Sequence, residues 1–268
     1  MTSTILGSIA IACYIGGAIL QYNHLVRRDN SRRIQVLILG AVALGFHILS
    51  FNGTVITEAG LHLGFFKISS LIGWLITGLV LASSIRKPLE NLLIGVYPIA
   101  ALGLGSAIVA HGTVEPTIHL SLHSVSHILL SLFSYSVLTI AAIQAVLLAW
   151  QDQQLRHKHA NGFIMKLPPL QVMEQLMFEL IWVGVILLTA AIISGALFIQ
   201  DMFAQHLAHK TLLSIFAWSI FSLLLAGRYW KGWRGSVAIR WTIFGYLFLM
   251  LSYFGTKLVL EILLQRTA

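Results

Sequence analysis

Charge is what this chain has least of. Only 10% of its 268 residues are Asp, Glu, Lys or Arg, against about a quarter in an ordinary soluble domain, while 57% are apolar. That balance excludes a water-soluble globule. Cysteine is nearly absent as well. Cys13 is the single one and lies inside the first apolar run, which removes disulfide frameworks, Cys-x-x-Cys redox pairs and thiolate zinc sites together. There is no P-loop, no G-x-S-x-G elbow and no pair of carboxylates with a plausible shared site, and the glycines fall mainly within the apolar runs and at their ends. Hydrolytic and phosphoryl-transfer chemistry have no footing, and the expectation is a protein that is not an enzyme.

What is present is a series of eight apolar runs, at about 4–22, 34–51, 65–84, 91–110, 124–150, 175–199, 211–228 and 238–264. Each is near the ~20 residues that cross ~30 Å of hydrocarbon as a helix. The predicted fold is therefore all-α, a single membrane domain over 1–268 with eight transmembrane helices. The first run lacks a basic flank and a small-residue cleavage site, so it reads as a retained span rather than a signal peptide. The net charge of +8 is distributed by side. Segments joining spans 1 to 2, 3 to 4, 5 to 6 and 7 to 8 hold thirteen Lys and Arg, and the opposite side holds four, Lys67, Lys210, Lys257 and Arg266. By the positive-inside rule both termini lie on the outer, periplasmic side of a bacterial inner membrane. The basic charge is a topology signal rather than a nucleic-acid footprint.

The histidines divide the other way. Of eleven, only His24, His157 and His159 fall in the cytoplasmic segments; His47, His62, His111, His119, His123, His127, His206 and His209 lie on the outer side or in the outer half of a span. Loop histidines are ordinary interfacial residues, and that reading is favoured for His62, His111 and His206. His47, within ALGFHILSF, and His127, within HSVSHILLSLFSY, are inside spans, where an ionisable side chain is costly and marks a candidate functional site.

On span 2, Gly40, Ala43, His47 and Ser50 share one narrow stripe of small residues and an imidazole. Such a stripe admits something flat, although close approach of two helices is the favoured explanation for the stripe alone. On span 5, His127, Ser131, Ser134 and Tyr135 form a polar ridge that should face the bundle interior, and His119 and His123 extend it outward if the helix starts early. Neutral imidazoles in these places suit a metal ion, an iron porphyrin or proton relay, and spacing alone leaves the three open.

HILLSLFSYSVLTIAAIQAVLLAW, from His127, resembles the signature helix of the CcsA-type cytochrome c assembly proteins, a haem-handling membrane family in which a histidine is followed seven and eight residues later by Ser-Tyr. GLHLGFFKISSLIGW at 60–74, SGALFIQDMF at 194–203, AWSIFSLLLAGR, GWRG and LSYFGTKLV resemble further family segments, so the likeness covers most of the chain from His47 onward. It is nearest to the small, single-domain YpjD-like branch, which also has a counterpart of PPLQVME at 168–174. The resemblance implies eight helices, an inner-membrane location, a link to cytochrome c maturation proteins, and His47 and His127 at positions that match histidines used around haem. The chain departs from the family's synthases in three places. The outer loop IQDMFAQHLAHK has no tryptophan where a Trp-rich, haem-presenting segment is expected, Ala226 stands for a histidine near the end of span 7, and no histidine follows the last helix. The resemblance thus implies haem handling rather than attachment of haem to an apocytochrome.

Three functional readings follow. In the first, His47 and His127 are axial ligands of a haem b in the outer half of the bundle. His123 lies nearby, Phe51, Phe133 and Trp218 supply apolar walls, and Lys67, Lys210 or Lys257 meets the propionates. His209, in the loop that lacks the platform, is a substitute ligand or, as the favoured explanation beside Lys210, a solvated residue. In the second, the protein is a cofactor-free membrane assembly or regulatory factor. It acts through the basic, proline-marked connection 151–174, and His47 is a satisfied interior histidine. In the third and weakest, the outer histidines capture a metal or small solute for transport. Against it, the spans are poor in polar groups at successive depths, Lys257 and Glu261 read as a local i,i+4 pair, and no internal repeat is visible.

Overall fold

A computed structural model describes residues 2–27, 32–51, 56–57, 60–62, 64–85, 87, 89–109, 117–118, 122–156, 167–198 and 205–255. Eight of its helices are long and apolar enough to cross a membrane. The chain is an integral membrane protein whose surroundings are a lipid bilayer. Large apolar side chains such as Leu102, Leu197 and Ile186 stand exposed on the helices, as lipid-facing residues must. The chain divides into two compact units, residues 1–119 with 161–167, and residues 120–160 with 168–268.

The first unit contains α1 (Thr2–Arg27), α2 (Arg32–Ser50), α3 (Phe65–Ser84) and α4 (Leu93–Val109), the last entered through a 3-10 turn at Glu90–Leu92. Each helix packs on its neighbours in sequence, and α4 returns to α1, so the four close a ring. The connections add something the sequence did not suggest. Strands β1 (Ile56–Thr57), β2 (Gly60–His62) and β3 (Thr117–Ile118) pair as a small antiparallel ribbon with Ile56 opposite Leu61 and Leu61 opposite Ile118. The expected all-α chain thus carries a minor sheet, which pairs backbone groups of two connections where no helix satisfies them.

The second unit contains α5 (Leu122–Arg156), α6 (Leu170–Phe198), α7 (Gln205–Lys231) and α8 (Ser236–Met250), continued by a π turn at Leu251–Gly255. These four also close a ring, α5 meeting both α6 and α8. Helix α5 runs past the apolar stretch that ends at Trp150, and α6 begins before the one expected from 175, because polar side chains tie the two extensions together. Gln144 Nε2 donates to Met173 O at 3.2 Å and Gln151 Nε2 to Pro168 O at 3.1 Å. α2, α3 and α4 lie within about two residues of the expected bounds, whereas α1 runs on to Arg27 and α7 already begins at Gln205; 256–264 of the eighth span lie outside the described residues.

Inside a bilayer a polar group finds no water, so each must be satisfied by protein. Hydroxyls along these helices mostly solve this locally, donating to the carbonyl one turn back: Ser69 to Phe65, Ser84 to Val80, Ser136 to Leu132, Thr189 to Val185 and Thr242 to Ala238, all at 2.7–2.9 Å. Glycines let helices close in around larger residues. Tyr97 of α4 is fully buried and donates its hydroxyl to Val36 O of α2 at 2.9 Å. Its ring and hydroxyl occupy the space that a Cβ on Gly17 or Gly40 would need.

The end of α7 and the start of α8 form a corner around Glu174 of α6. The Glu174 carboxylate accepts from Arg228 at 2.8 Å and from the Gly235 backbone N–H at 2.9 Å, while Arg228 also lies 4.6 Å from the centre of the Phe178 ring. Trp233 closes the corner from above, its indole over Gly227 and stacked on Trp241. The third contact, Arg234 at 3.3 Å, comes from a side chain that is 62% exposed and adds little.

Two stability predictions follow from this packing. Gly40→Ala forces Tyr97 off Val36 and lowers the thermal unfolding midpoint of the detergent-purified protein. Gly45→Ala, where an added Cβ meets nothing within 4 Å, leaves it unchanged or raises it. Glu174→Ala strips partners from Arg228 and Gly235 together and destabilises by about 2 kcal/mol, read in the same thermal assay.

Candidate functional site: two buried imidazoles

His47 is an ionisable group with no exposed surface. It stands on the inner face of α2, the stripe where the sequence placed it. Ala43 is fully buried one turn before it, and Ser50 donates to the His47 carbonyl at 2.6 Å one turn after. The stripe is filled from within the unit. Gly40 takes the Tyr97 hydroxyl, and the ring of His47 lies among Tyr14 at 5.8 Å and Phe51 at 5.0 Å between centroids. Both ring nitrogens are engaged. Tyr14 of α1 meets Nδ1 at 3.1 Å, and Ser70 of α3 meets Nε2 at 2.8 Å.

His127 of α5 has a different environment. It is half-buried, and its Nδ1 lies 3.0 Å from Ala191 O and 3.0 Å from Ser194 Oγ on α6. A carbonyl oxygen accepts and does not donate, and the Ser194 hydroxyl is itself donated to Ala191 O at 2.8 Å. Nδ1 must therefore carry the hydrogen, which leaves the lone pair on Nε2. Among the described residues Nε2 has no hydrogen-bond partner. A histidine held by Nδ1–H on a backbone carbonyl with a bare Nε2 has the orientation that metal-ligating histidines use.

Further along the same ridge, Ser134 donates to Gly184 O at 3.1 Å and is buried, as expected of an interior face. Tyr135 donates its hydroxyl to the Met250 sulfur, and its ring packs against Tyr246, Tyr253 and Phe254 at 5.6–6.1 Å. Thr139 Oγ1 and the Tyr246 hydroxyl are 3.0 Å apart. The π turn presents Tyr253 and Phe254 together to Tyr135, and its Ser252 is bonded to Lys210 O and Ser214, both at 2.8 Å.

The remaining sequence candidates fall as follows. Trp218 of α7 is half-buried and donates its indole N–H to Thr189 of α6 at 2.8 Å, so its polar edge is already committed. Phe51 packs on His47, whereas Phe133 is turned outward on α5. His123 stands on the first turn of α5 and His209 on the second turn of α7, and their side chains lie outside the described residues, as do His111, His119 and Lys257 altogether. Of the connection 151–174, residues 157–166 are likewise outside. No group of three or more His, Cys, Asp or Glu side chains gathers among the described residues.

Sequence reasoning missed Tyr14, Ser70, Ala191 and Ser194. The only available signal was that Tyr14, Ser70 and Ser194 are polar residues inside apolar runs; Ala191 acts through its backbone and carries no signal at all.

Comparison with known proteins places this geometry in context. The family model described as cytochrome C assembly protein matches residues 36–264. The inner membrane protein YpjD of Escherichia coli K12 is 30% identical over 257 residues, covering 95% of this chain and 97% of its own length. Shorter matches are the protein HemX of Brevibacillus brevis, 25% identical over 48% of each chain, and the cytochrome c biogenesis protein CcsA of Chlamydomonas reinhardtii, 25% identical over 50% of this chain and 38% of its own. No solved structure matches.

Proposed function

The chain belongs to the cytochrome c assembly protein family, and on that premise we propose that it handles haem b within the membrane, with His127 as an iron ligand through Nε2. The observation that carries this reading is the fixed tautomer of His127. Its Nδ1–H is held by Ala191 O and Ser194, so a bare lone pair is presented by a half-buried side chain. Bound haem supplies an iron centre; the chain's own residues supply the oriented imidazole. Those residues fit such a group in part. His127 needs no rearrangement, whereas the two-histidine arrangement expected from the sequence asks His47 for a nitrogen already bonded to Tyr14 or Ser70.

In this reading the protein sits in the inner membrane of a bacterium with both termini outside the cytoplasm, as the thirteen-to-four division of Lys and Arg indicates. His127 is then in the outer half of its span. Its working partners are cytochrome c maturation proteins and haem itself, and it works without attaching haem covalently.

The second reading, a cofactor-free assembly or regulatory factor, is favoured by one observation: His47 is a satisfied interior histidine bonded to a facing serine. In that case the activity lies in the 151–174 connection, whose base is braced by Gln151 on Pro168. The transport reading draws no support from the described side chains.

The two main readings separate on one measurement. The full-length protein, purified in detergent from haem-replete cells, is expected to show a Soret band at near-stoichiometric haem, lost in His127→Ala. Ser194→Ala keeps the carbonyl partner and is expected to weaken haemin affinity by about tenfold or less. Wild-type protein that neither copurifies with haem nor binds added haemin leaves only the cofactor-free reading.

A further inference from the structure

We infer that His47 is not an iron ligand in this chain but the centre of a hydrogen-bonded clamp, Tyr14–His47–Ser70, that joins α1, α2 and α3. The iron half of this inference rests on the haem reading above; the clamp does not.

Iron takes the lone pair of a neutral imidazole, and a neutral imidazole has one such nitrogen. In one tautomer His47 carries its hydrogen on Nε2, which donates to Ser70, and the Nδ1 lone pair accepts from the Tyr14 hydroxyl. In the other, Nδ1–H donates to the Tyr14 oxygen and the Nε2 lone pair accepts from Ser70. Either way no lone pair remains. The contrast with His127 is in the partner chemistry: a carbonyl fixes one nitrogen as donor and releases the other, whereas two hydroxyls, each able to give or take, consume both.

The clamp is also closed in space. Tyr14 belongs to α1, His47 to α2 and Ser70 to α3, so two bonds through one ring tie three helices. Its surroundings are packed. Tyr14, His47, Ser70 and Thr77 have no exposed surface, and Phe51 is nearly covered. Polar side chains that bond across helices in hydrocarbon hold those helices together because separation would leave them unpaired.

The test uses the full-length protein in detergent, with haemin as the probe and thermal unfolding as a second readout. Tyr14→Phe and Ser70→Ala each remove one bond, and each is expected to lower the unfolding midpoint by about 2–4 °C. Haemin affinity should stay within about twofold of wild type, and the low-spin fraction of bound haem should not change. His47→Gln, which can still bond to one hydroxyl, is expected to lower the midpoint further and to keep haem stoichiometry and spin state. A tenfold gain in haemin affinity in Ser70→Ala, where Nε2 is freed, would overturn the inference by showing that Ser70 competes with iron. So would a low-spin to high-spin change in His47→Gln, or unchanged midpoints in both single-bond variants. If wild-type protein binds no haemin, the haem reading falls, and the clamp stands or falls on the unfolding midpoints of Tyr14→Phe and Ser70→Ala.

Discussion

An imidazole has two nitrogens and one proton, and in hydrocarbon neither nitrogen can turn to water. The identity of the partners therefore decides what a membrane histidine is able to do. Two hydroxyls around His47 absorb donor and acceptor alike and make it part of the packing. A carbonyl and a serine on one nitrogen of His127 leave the other available. The residue type is the same, and the chemistry diverges on the neighbour's atom type. The same demand for internal satisfaction shapes the rest of both units. Most span hydroxyls bond back to their own helix, so the few polar side chains that reach across, such as the Tyr97 hydroxyl to Val36, the Ser134 hydroxyl to Gly184 and the Trp218 indole N–H to Thr189, are the contacts that fix one helix against another.

Much of the architecture was legible in the sequence because it depends on one-dimensional quantities. Apolar run length gave eight helices, and the bounds of α3 agree at both ends. The stripe on α2 and the ridge on α5 follow from helical periodicity, and their buried members, Ala43, His47, Ser134 and Tyr135, are the ones an inward face requires. The favoured explanation of the α2 stripe, close helix approach, matches Gly40 seated on Tyr97.

What was not legible is whatever depends on a second helix. Nothing in FHIL announces that Tyr14, thirty-three residues earlier, and Ser70, twenty-three residues later, will meet the two sides of one ring. Ala191 is less visible still, since it contributes a carbonyl that every residue has. The extensions of α5 and α6 beyond their apolar stretches were hidden for a related reason. Polar residues such as Gln151 end a span by hydropathy, yet one well-placed amide bond to Pro168 lets the helix continue. The short ribbon of β1, β2 and β3 joins segments far apart in the chain, and strands of two or three residues carry no periodicity to detect.

The departures from the family pattern acquire a physical meaning at the end of α7. Ala226, standing where the resemblance expects a histidine, is followed directly by Gly227 and Arg228. Gly227 is bare because the Trp233 indole lies on it, and Arg228 is held by Glu174 and by the Trp233 carbonyl at 3.2 Å. The Glu174 carboxylate that receives Arg228 also receives the first backbone N–H of the turn into α8. This stretch is thus spent on joining α6, α7 and α8. The stretch that follows the departure at 226 is therefore a local structure with its own function in the fold, one that binds three helices through a single carboxylate.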